Sequence, residues 1–478
     1  MWRKGFLPPG KNDGSMACVS IEGFMLRAPL LPPPLEPGFR PAALACRAFA
    51  AEASVPVCIA LEQADGSVFH FTKHILPPHH AAAGCNFFYL ERLLKFLLWS
   101  RGGFRVYFDG PPDLGARLER YFKETATGRF DADIMGERIY ERPFTVVTTK
   151  DLPPPRATTT PLGRHWKGCR IGFDLGASDR KAAAVQEGRA VFSEETVWNP
   201  VPQADPQWHF DQIMDSLKRA AEHLPRVDAI GGSAAGVYVN NRVRVASLFR
   251  GVPAPLFQTR VNTLFLELKR AWGGIPFEVV NDGEVTALAG SMALEQDAVL
   301  GIAMGSSLAA GFVTPEGNIT SWLNELAFAP VDYNPAAPVD EWSGDHGCGA
   351  QFFSQQCLGR WLPAAGLETP AGLPLPEQLK HVQALMEKGD ERAEKIYHTI
   401  GVCFGYGVAH YAEFYDFKHI LVLGRVTTGR GGDVILRHAK EVLRVEFPEL
   451  AGRIAFHVPE EKDKRHGQAI AAASLPAT

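Results

Sequence analysis

Apolar and polar positions alternate through VPVCIALEQADGSVFHFTKHIL (55–76), with Asp65-Gly66 midway. That period of two around an Asp-Gly pair predicts a β-hairpin. NFFYLERLLKFLLWS (86–100) carries its apolar residues at helical spacing and predicts a helix, and FRVYFDG (104–110) predicts a buried strand. A helix over 113–124 and strands near 138–148 complete a mixed α/β domain over 47–150. DLPPPRATTTPLG (151–163) then breaks the pattern, because proline fixes φ and lacks an N–H; it marks a linker over 151–166. Residues 1–46 are rich in Pro and Gly with little periodicity, predicting a poorly ordered leader or segments draped over a neighbour.

Beyond the linker the chain repeats one theme: an apolar strand, a turn of small residues, then a hairpin or helix. IGFDLGASDRKAAAVQEGRAVF (171–192) ends a strand at Asp174, turns through Gly176, Ala177 and Ser178, and forms a hairpin about Glu187-Gly188. VDAIGGSAAGVYVNNRVRV (227–245) repeats it with a turn at Asn240-Asn241, and VLGIAMGSSLAAGFVTPEGNI (299–319) with Gly305-Ser306-Ser307. In PFEVVNDGEVTALAG (276–290) a strand runs into Asn281-Asp282 at the start of a helix. In KHILVLGRVTTGRGGDVI (418–435) a strand opens onto a glycine-rich loop. Turns of small residues let backbone N–H groups approach a phosphate. Ser178 adds a hydroxyl, Lys181 a charge, and Asp174 a carboxylate able to hold Mg²⁺ through water. Asp282 at a helix N-terminus is expected to stay ionised, by the helix dipole. Its bland alternative is an ordinary cap.

Composition narrows the class. In 478 residues, 49 Lys and Arg stand against 53 Asp and Glu, a net charge of −4 that argues against a nucleic-acid coat protein. At 46% hydrophobic and 21% charged, the chain is that of a globular protein with a core. Eight scattered cysteines without a C-x-x-C pair point to a reduced, cytoplasmic protein, and no apolar run is long enough to span a membrane.

The order of these segments over about 168–475 resembles the ROK family (repressors, open reading frames and sugar kinases), within the superfamily of actin, hexokinase and the heat-shock ATPases. DLGASDRK (174–181) is similar to that family's D-x-G-G-T phosphate loop, and VVNDGEVTALAG (279–290) to its N-D-A-N-A-A-A-L stretch. GIAMGSSLAAGFV (301–313) stands where G-T-G-x-G-G-G-x-V would be, and LNELAF (323–328) where G-E-x-G-H would be. ILVLGRVTTG (420–429) resembles I-x-L-G-G-G-V, and GQAIAAASL (467–475) the closing small-residue helix. The resemblance implies an α/β fold of two ribonuclease-H-like lobes with a cleft between them, 167–290 and 291–478, preceded here by the smaller domain.

It also implies ATP- and Mg²⁺-dependent phosphorylation of a sugar hydroxyl. Asp282 would be the catalytic base, and Asn281, Asn324 and Glu325 the sugar ligands. Asp174, Gly176, Ser178, Lys181, Gly305, Ser306, Ser307 and Gly424 would meet the nucleotide and its phosphates, with Asp174 organising Mg²⁺. Partners would be a small sugar and a nucleotide, with no nucleic acid or membrane, in a homodimer. Trp322, Asp332, Tyr333, Asp340, Trp342 and Asp345 would surround the sugar, as rings and carboxylates suited to a carbohydrate or as plain core.

The departures from the pattern matter as well. Ala177 is a mild change of a loop glycine, but Leu308, Ala309, Ala310 and Arg425 also replace loop glycines, which favours a carbohydrate-binding sensor as the alternative. A DNA-binding repressor is a third reading, though the strand-rich first domain predicts no helix-turn-helix. Phe328 replaces the motif histidine, and Cys348 and Cys357 with His346 do not supply four tetrahedral zinc ligands. No structural zinc is expected; Phe328, Phe352 and Phe353 would pack in its place. The first domain is expected to be a degenerate copy of the lobes, a cover for the cleft, or a dimer contact.

Overall fold

The computed structural model describes residues 24–157, 161–458 and 467–478. The alternating segment 55–76 forms β1 (Val55–Glu62) and β2 (Val68–Ile75), paired antiparallel. β3 (Arg105–Asp109) lies antiparallel to β1 on its other side, and β4 (Thr145–Thr148) runs parallel to β3. This sheet carries α1 (Ala42–Glu52), α2 (Asn86–Arg101), α3 (Pro112–Glu124) and α4 (Ala126–Asp133). Residues 138–140 are not strand as expected: they end a π-helical turn, Ile134–Tyr140, whose Ile139 is buried.

The first domain is not a copy of the lobes. In the first lobe β5 (Cys169–Leu175), β6 (Asp179–Gln186) and β7 (Arg189–Val197) form an antiparallel meander, and β8 (Ala229–Ala234) and β11 (Phe277–Asn281) extend it parallel to β5. A short hairpin, β9 (Val237–Val239) and β10 (Arg242–Val245), stands apart; Asn240 and Asn241 turn it with φ of 50° and 59°, a left-handed pair that asparagine tolerates. In the second lobe β12 (Val299–Met304) pairs antiparallel with β13 (Leu308–Val313) and parallel with β14 (His419–Leu423), which pairs parallel with β15 (Ala455–His457).

Two helices lie between the lobes: α7 (Asp282–Leu294), numbered after α5 (Pro206–Ala221) and α6 (Leu264–Ala271), and the C-terminal Gly467–Ala473. The latter rests directly on backbone. A Cβ on Gly172 would fall 1.7 Å from the Ala469 carbonyl oxygen, and one on Gly231 1.7 Å from that of Ala472, so only glycine admits this contact. The glycines of Glu391–Tyr411 serve the same end: Cβ atoms at Gly401 and Gly405 would press on Ile435 and Val442 of the next helix, Arg430–Glu446.

The cores do not follow the chain's apparent divisions. The first lobe has its own, built on Ile171, Phe173, Leu217 and Phe265. The first domain and the second lobe share one: Leu93, Phe96 and Trp99 belong with Phe352, Tyr411 and Ile420. Poor order does not describe 24–46. Met25 and Phe39 are buried, Leu30 N donates to Glu446 Oε1 (2.6 Å), and Leu35 N to Thr399 Oγ1 (3.2 Å), because the segment covers apolar side chains of the second lobe. Residues 1–23 of that leader lie outside the described residues. Among the described residues no helix is long and apolar enough to cross a membrane.

Candidate active site between the lobes

β5 delivers Asp174 to the end of the first-lobe sheet, where its carboxylate is buried. Oδ1 accepts from Ser233 Oγ on β8 (2.7 Å), and Lys181 Nζ stands 3.5 Å from Oδ2. Lys181 also donates to Asp179 Oδ1 (2.7 Å). Gly176 N bonds Asp179 O (2.9 Å), closing a turn that leaves Ala177 and Ser178 exposed, with Ser178 Oγ on Asp179 Oδ2 (2.9 Å). The second lobe offers a matching turn: Gly305 N bonds Ser307 O (2.9 Å), and Ser306 and Ser307 are exposed. Beside it, Gly424 has φ of 102°, and a Cβ there would lie 2.4 Å from Met304 O. Glycine is therefore required where the loop after β14 crosses the end of β12.

Asp282 opens α7 and is half-buried. Burial, with the Asp174 charge second, pushes its carboxyl up to about 6. The helix N-terminus was expected to hold it fully ionised; desolvation outweighs that dipole. Glu325 is pushed up to about 7, first by burial and then by the charge of Asp282. Glu284, two residues along α7, rises to about 8 through burial, against the pull of hydrogen bonds from Asn324 and Phe312 N. Burial also raises Asp174, opposed by Ser233 and Lys181. These four carboxyl groups form a desolvated chain in which successive members feel each other's charge.

Two expected sugar ligands are otherwise engaged. Asn281 caps α7, accepting from Gly283 N (2.7 Å), and its Nδ2 donates to Gly236 O (2.7 Å). Asn324 is buried at a left-handed φ of 49°; its Nδ2 donates to Glu284 Oε1, and its Oδ1 accepts from Tyr415 OH (2.7 Å). The aromatic and acidic residues expected around a sugar are structural too. Trp322 stacks parallel to Phe312 at 5.4 Å, with the Arg101 guanidinium 3.2 Å from its ring centre. Asp332 accepts from Arg40 N (2.9 Å), Tyr333 is buried against Phe88, and Asp340 caps the turn at Ser343 (2.8 Å).

Asp345 is held by the first domain. Lys95, fully buried on α2, lies 2.6 Å from it and 3.0 Å from Asp131, and Arg92 reaches it at 3.1 Å. Trp99 Nε1 donates to Asp131 (2.9 Å). Helix C-terminal carbonyls lack partners within their own helix. Here those of Trp99 and Ser100 accept from Glu325 N (2.9 Å) and Asn324 N (3.0 Å). Phe328 meets Trp99 at 4.4 Å and Phe130 at 5.9 Å, so the ring replacing the motif histidine packs on the first domain. Phe352 and Phe353 pack toward Phe39 and Phe404. Cys348 and Cys357 are buried thiols raised by desolvation, Cys357 to about 12, each beside a backbone carbonyl.

Glu284, Tyr415 and the α2 contacts escape sequence reading. The one available signal is Glu284 itself, a charge directly before the apolar run VTALAG (285–290) of the same helix.

Glu284 supports a prediction. A carboxyl raised from about 4.5 to about 8 on folding contributes stability that is full below its unfolded pKa and lost as pH rises through its folded one. Relative to wild type, Glu284→Gln is expected to gain thermal stability as pH rises from about 5 to about 8, and to level off above that. A pH-independent difference in melting temperature would show that Glu284 stays ionised.

No protein-family model matches the sequence, and neither does any curated protein. Solved structures do match in fold. A ROK hexokinase from Thermus thermophilus is similar at TM-score 0.51 and 18% identity, covering 64% of this chain and 96% of its own. A ROK family transcriptional regulator, a homolog of the E. coli MLC protein, is similar at TM-score 0.51 and 18% identity, over 70% of this chain and 81% of its own. The chain thus has the actin-like, two-lobed fold found in ROK sugar kinases and a ROK regulator.

Proposed function

We propose that the protein is an ATP-dependent kinase that phosphorylates a hydroxyl of a sugar. The observation that carries this reading is Asp282: a half-buried carboxyl at a helix start, raised to about 6, facing Asp174 and Glu325. A general base works best with a pKa near the operating pH. The exposed turns at 176–178 and 305–307 lie at the ends of β5 and β12, one from each lobe, where backbone N–H groups can meet a polyphosphate.

Asp282 takes the proton of the acceptor hydroxyl as its oxygen bonds to the γ-phosphorus and the bridging bond to ADP breaks. Glu325, raised to about 7 by burial and then by the Asp282 charge, donates a hydrogen bond to the sugar in its protonated form. Lys181 and Ser178 stand by the first turn to meet phosphate oxygens. Among the described residues no three His, Cys, Asp or Glu side chains group around a metal position. A nucleotide-borne Mg²⁺ does not need such a cage, since it keeps waters and takes one or two carboxylates besides phosphates. Asp174 fits that role, and the ion would supply positive charge to offset that of the phosphates.

The test is ADP release from ATP–Mg²⁺ across a panel of sugars, followed with pH. The expected kcat/KM rises with pH through about 6 as Asp282 loses its proton, and is low below it. Sugar binding without detectable ATP binding by calorimetry would establish the sensor reading instead. That reading draws on Arg425, whose exposed side chain stands where the nucleotide-side loop would need glycine.

A further inference from the structure

A cavity of about 310 Å³ opens beside Asn281, the chain neighbour of Asp282. Its volume is at the lower end of the ~300–1,000 Å³ of small-molecule sites. Three parts of the molecule build it. The first lobe gives the β9–β10 hairpin, the second gives Thr320–Leu323, and the first domain gives the Gln63–Asp65 turn and Tyr140. The rim is tied across: Glu141 pairs with Arg244 of β10 and accepts from Asn262 Nδ2 (3.4 Å).

The lining has a definite chemistry. It includes Asp65, Glu278 and Glu284 but no Lys, Arg or His, so an anionic group would meet only like charge or none. Thr320, Ser321 and Asn240 offer neutral hydrogen-bonding groups, and Tyr140 and Tyr238 contribute aromatic surface. Hydroxyl-matching groups among aromatic surface suit an uncharged carbohydrate.

We propose that this cavity is a subsite for the part of the acceptor beyond the phosphorylated ring, so that the preferred acceptor is a neutral disaccharide or glycoside and the first domain reads its second ring. The proposal rests on the sugar-kinase reading. An acceptor held with its hydroxyl at Asp282 has this cavity as adjoining space, and a sugar phosphate finds no cation there.

The experiment compares ADP release on free hexoses, on the disaccharides maltose, cellobiose, lactose and sucrose, and on glucose 6-phosphate. Two variants narrow the cavity from opposite walls, Ala64→Phe and Ser321→Trp, with melting curves to confirm folding. The expected result is a kcat/KM for one disaccharide at least about tenfold above its component hexoses, with each variant lowering that ratio about tenfold or more. Glucose 6-phosphate is expected to be inert. Hexose turnover without a disaccharide preference, or a preference that both folded variants leave intact, overturns the subsite and leaves the kinase reading standing. No response to any sugar removes both.

Discussion

Replacing Asp282 by Asn is expected to lower the rate of ADP release by about 10²–10⁴-fold while leaving the fold intact. The amide keeps the shape of the carboxyl and cannot accept the hydroxyl proton. Asn281 continues to cap α7 through Gly283 N, so the helix start does not depend on the substituted group. The variant is also expected to be more stable than wild type. A desolvated carboxyl repelled by Asp174 is removed, and Glu325, raised partly by Asp282, then titrates lower. Loss of activity joined to a gain in melting temperature is the pattern of a group kept for chemistry at the expense of stability. Equal ADP release from both proteins would take Asp282 out of the mechanism.

Lys95→Met is expected to destabilise the protein by about 3–5 kcal/mol near pH 8. Lys95 is fully buried between Asp131 and Asp345, and its removal leaves carboxyl groups in the core with less countercharge. The sign with pH follows. Asp345 is held well below the usual carboxylate range by Arg92 and Lys95, against the opposing effect of its own burial, so its stabilisation is present above its unfolded pKa and lost as pH falls. In the variant that support weakens, both aspartates protonate more readily, and the deficit relative to wild type shrinks as pH drops toward 5. Adding Asp131→Asn to Lys95→Met is expected to recover part of the loss. Urea denaturation at pH 8 and pH 5 reads both effects, and a cost below about 1 kcal/mol at pH 8 would mean the cluster is open to water.

Local structure was legible wherever the pattern and the turn chemistry agreed. Asp65-Gly66 and Asn240-Asn241 mark their hairpins, and the order of the five strand-and-turn segments gives the two-lobed architecture. Asp174 stands near the end of strand β5 and Asp282 at the start of α7, close enough for the charge of one to raise the carboxyl of the other. Long-range pairing was not legible. The apolar spacing of 86–100 marks the helix but not the partners of its charged residues: α2 is buried nearly all round, with Asp131 and Asp345 reaching Arg92 and Lys95 from distant sequence. For the same reason the acids and rings of 322–345, which suit a carbohydrate by type, turn out to fasten loops together. Residue type announces what a side chain can do, and only the fold decides which partner claims it.

The carbonyl ends of α2 that receive Asn324 and Glu325 have a mechanical consequence. The first domain and the second lobe share a core and these amide contacts, so separating them would expose apolar side chains and strip the α2 carbonyls of their partners. The cheaper way to widen the gap is to shift the first lobe, which has a core of its own, and such a shift would have to stretch or break the Glu141–Arg244 pair.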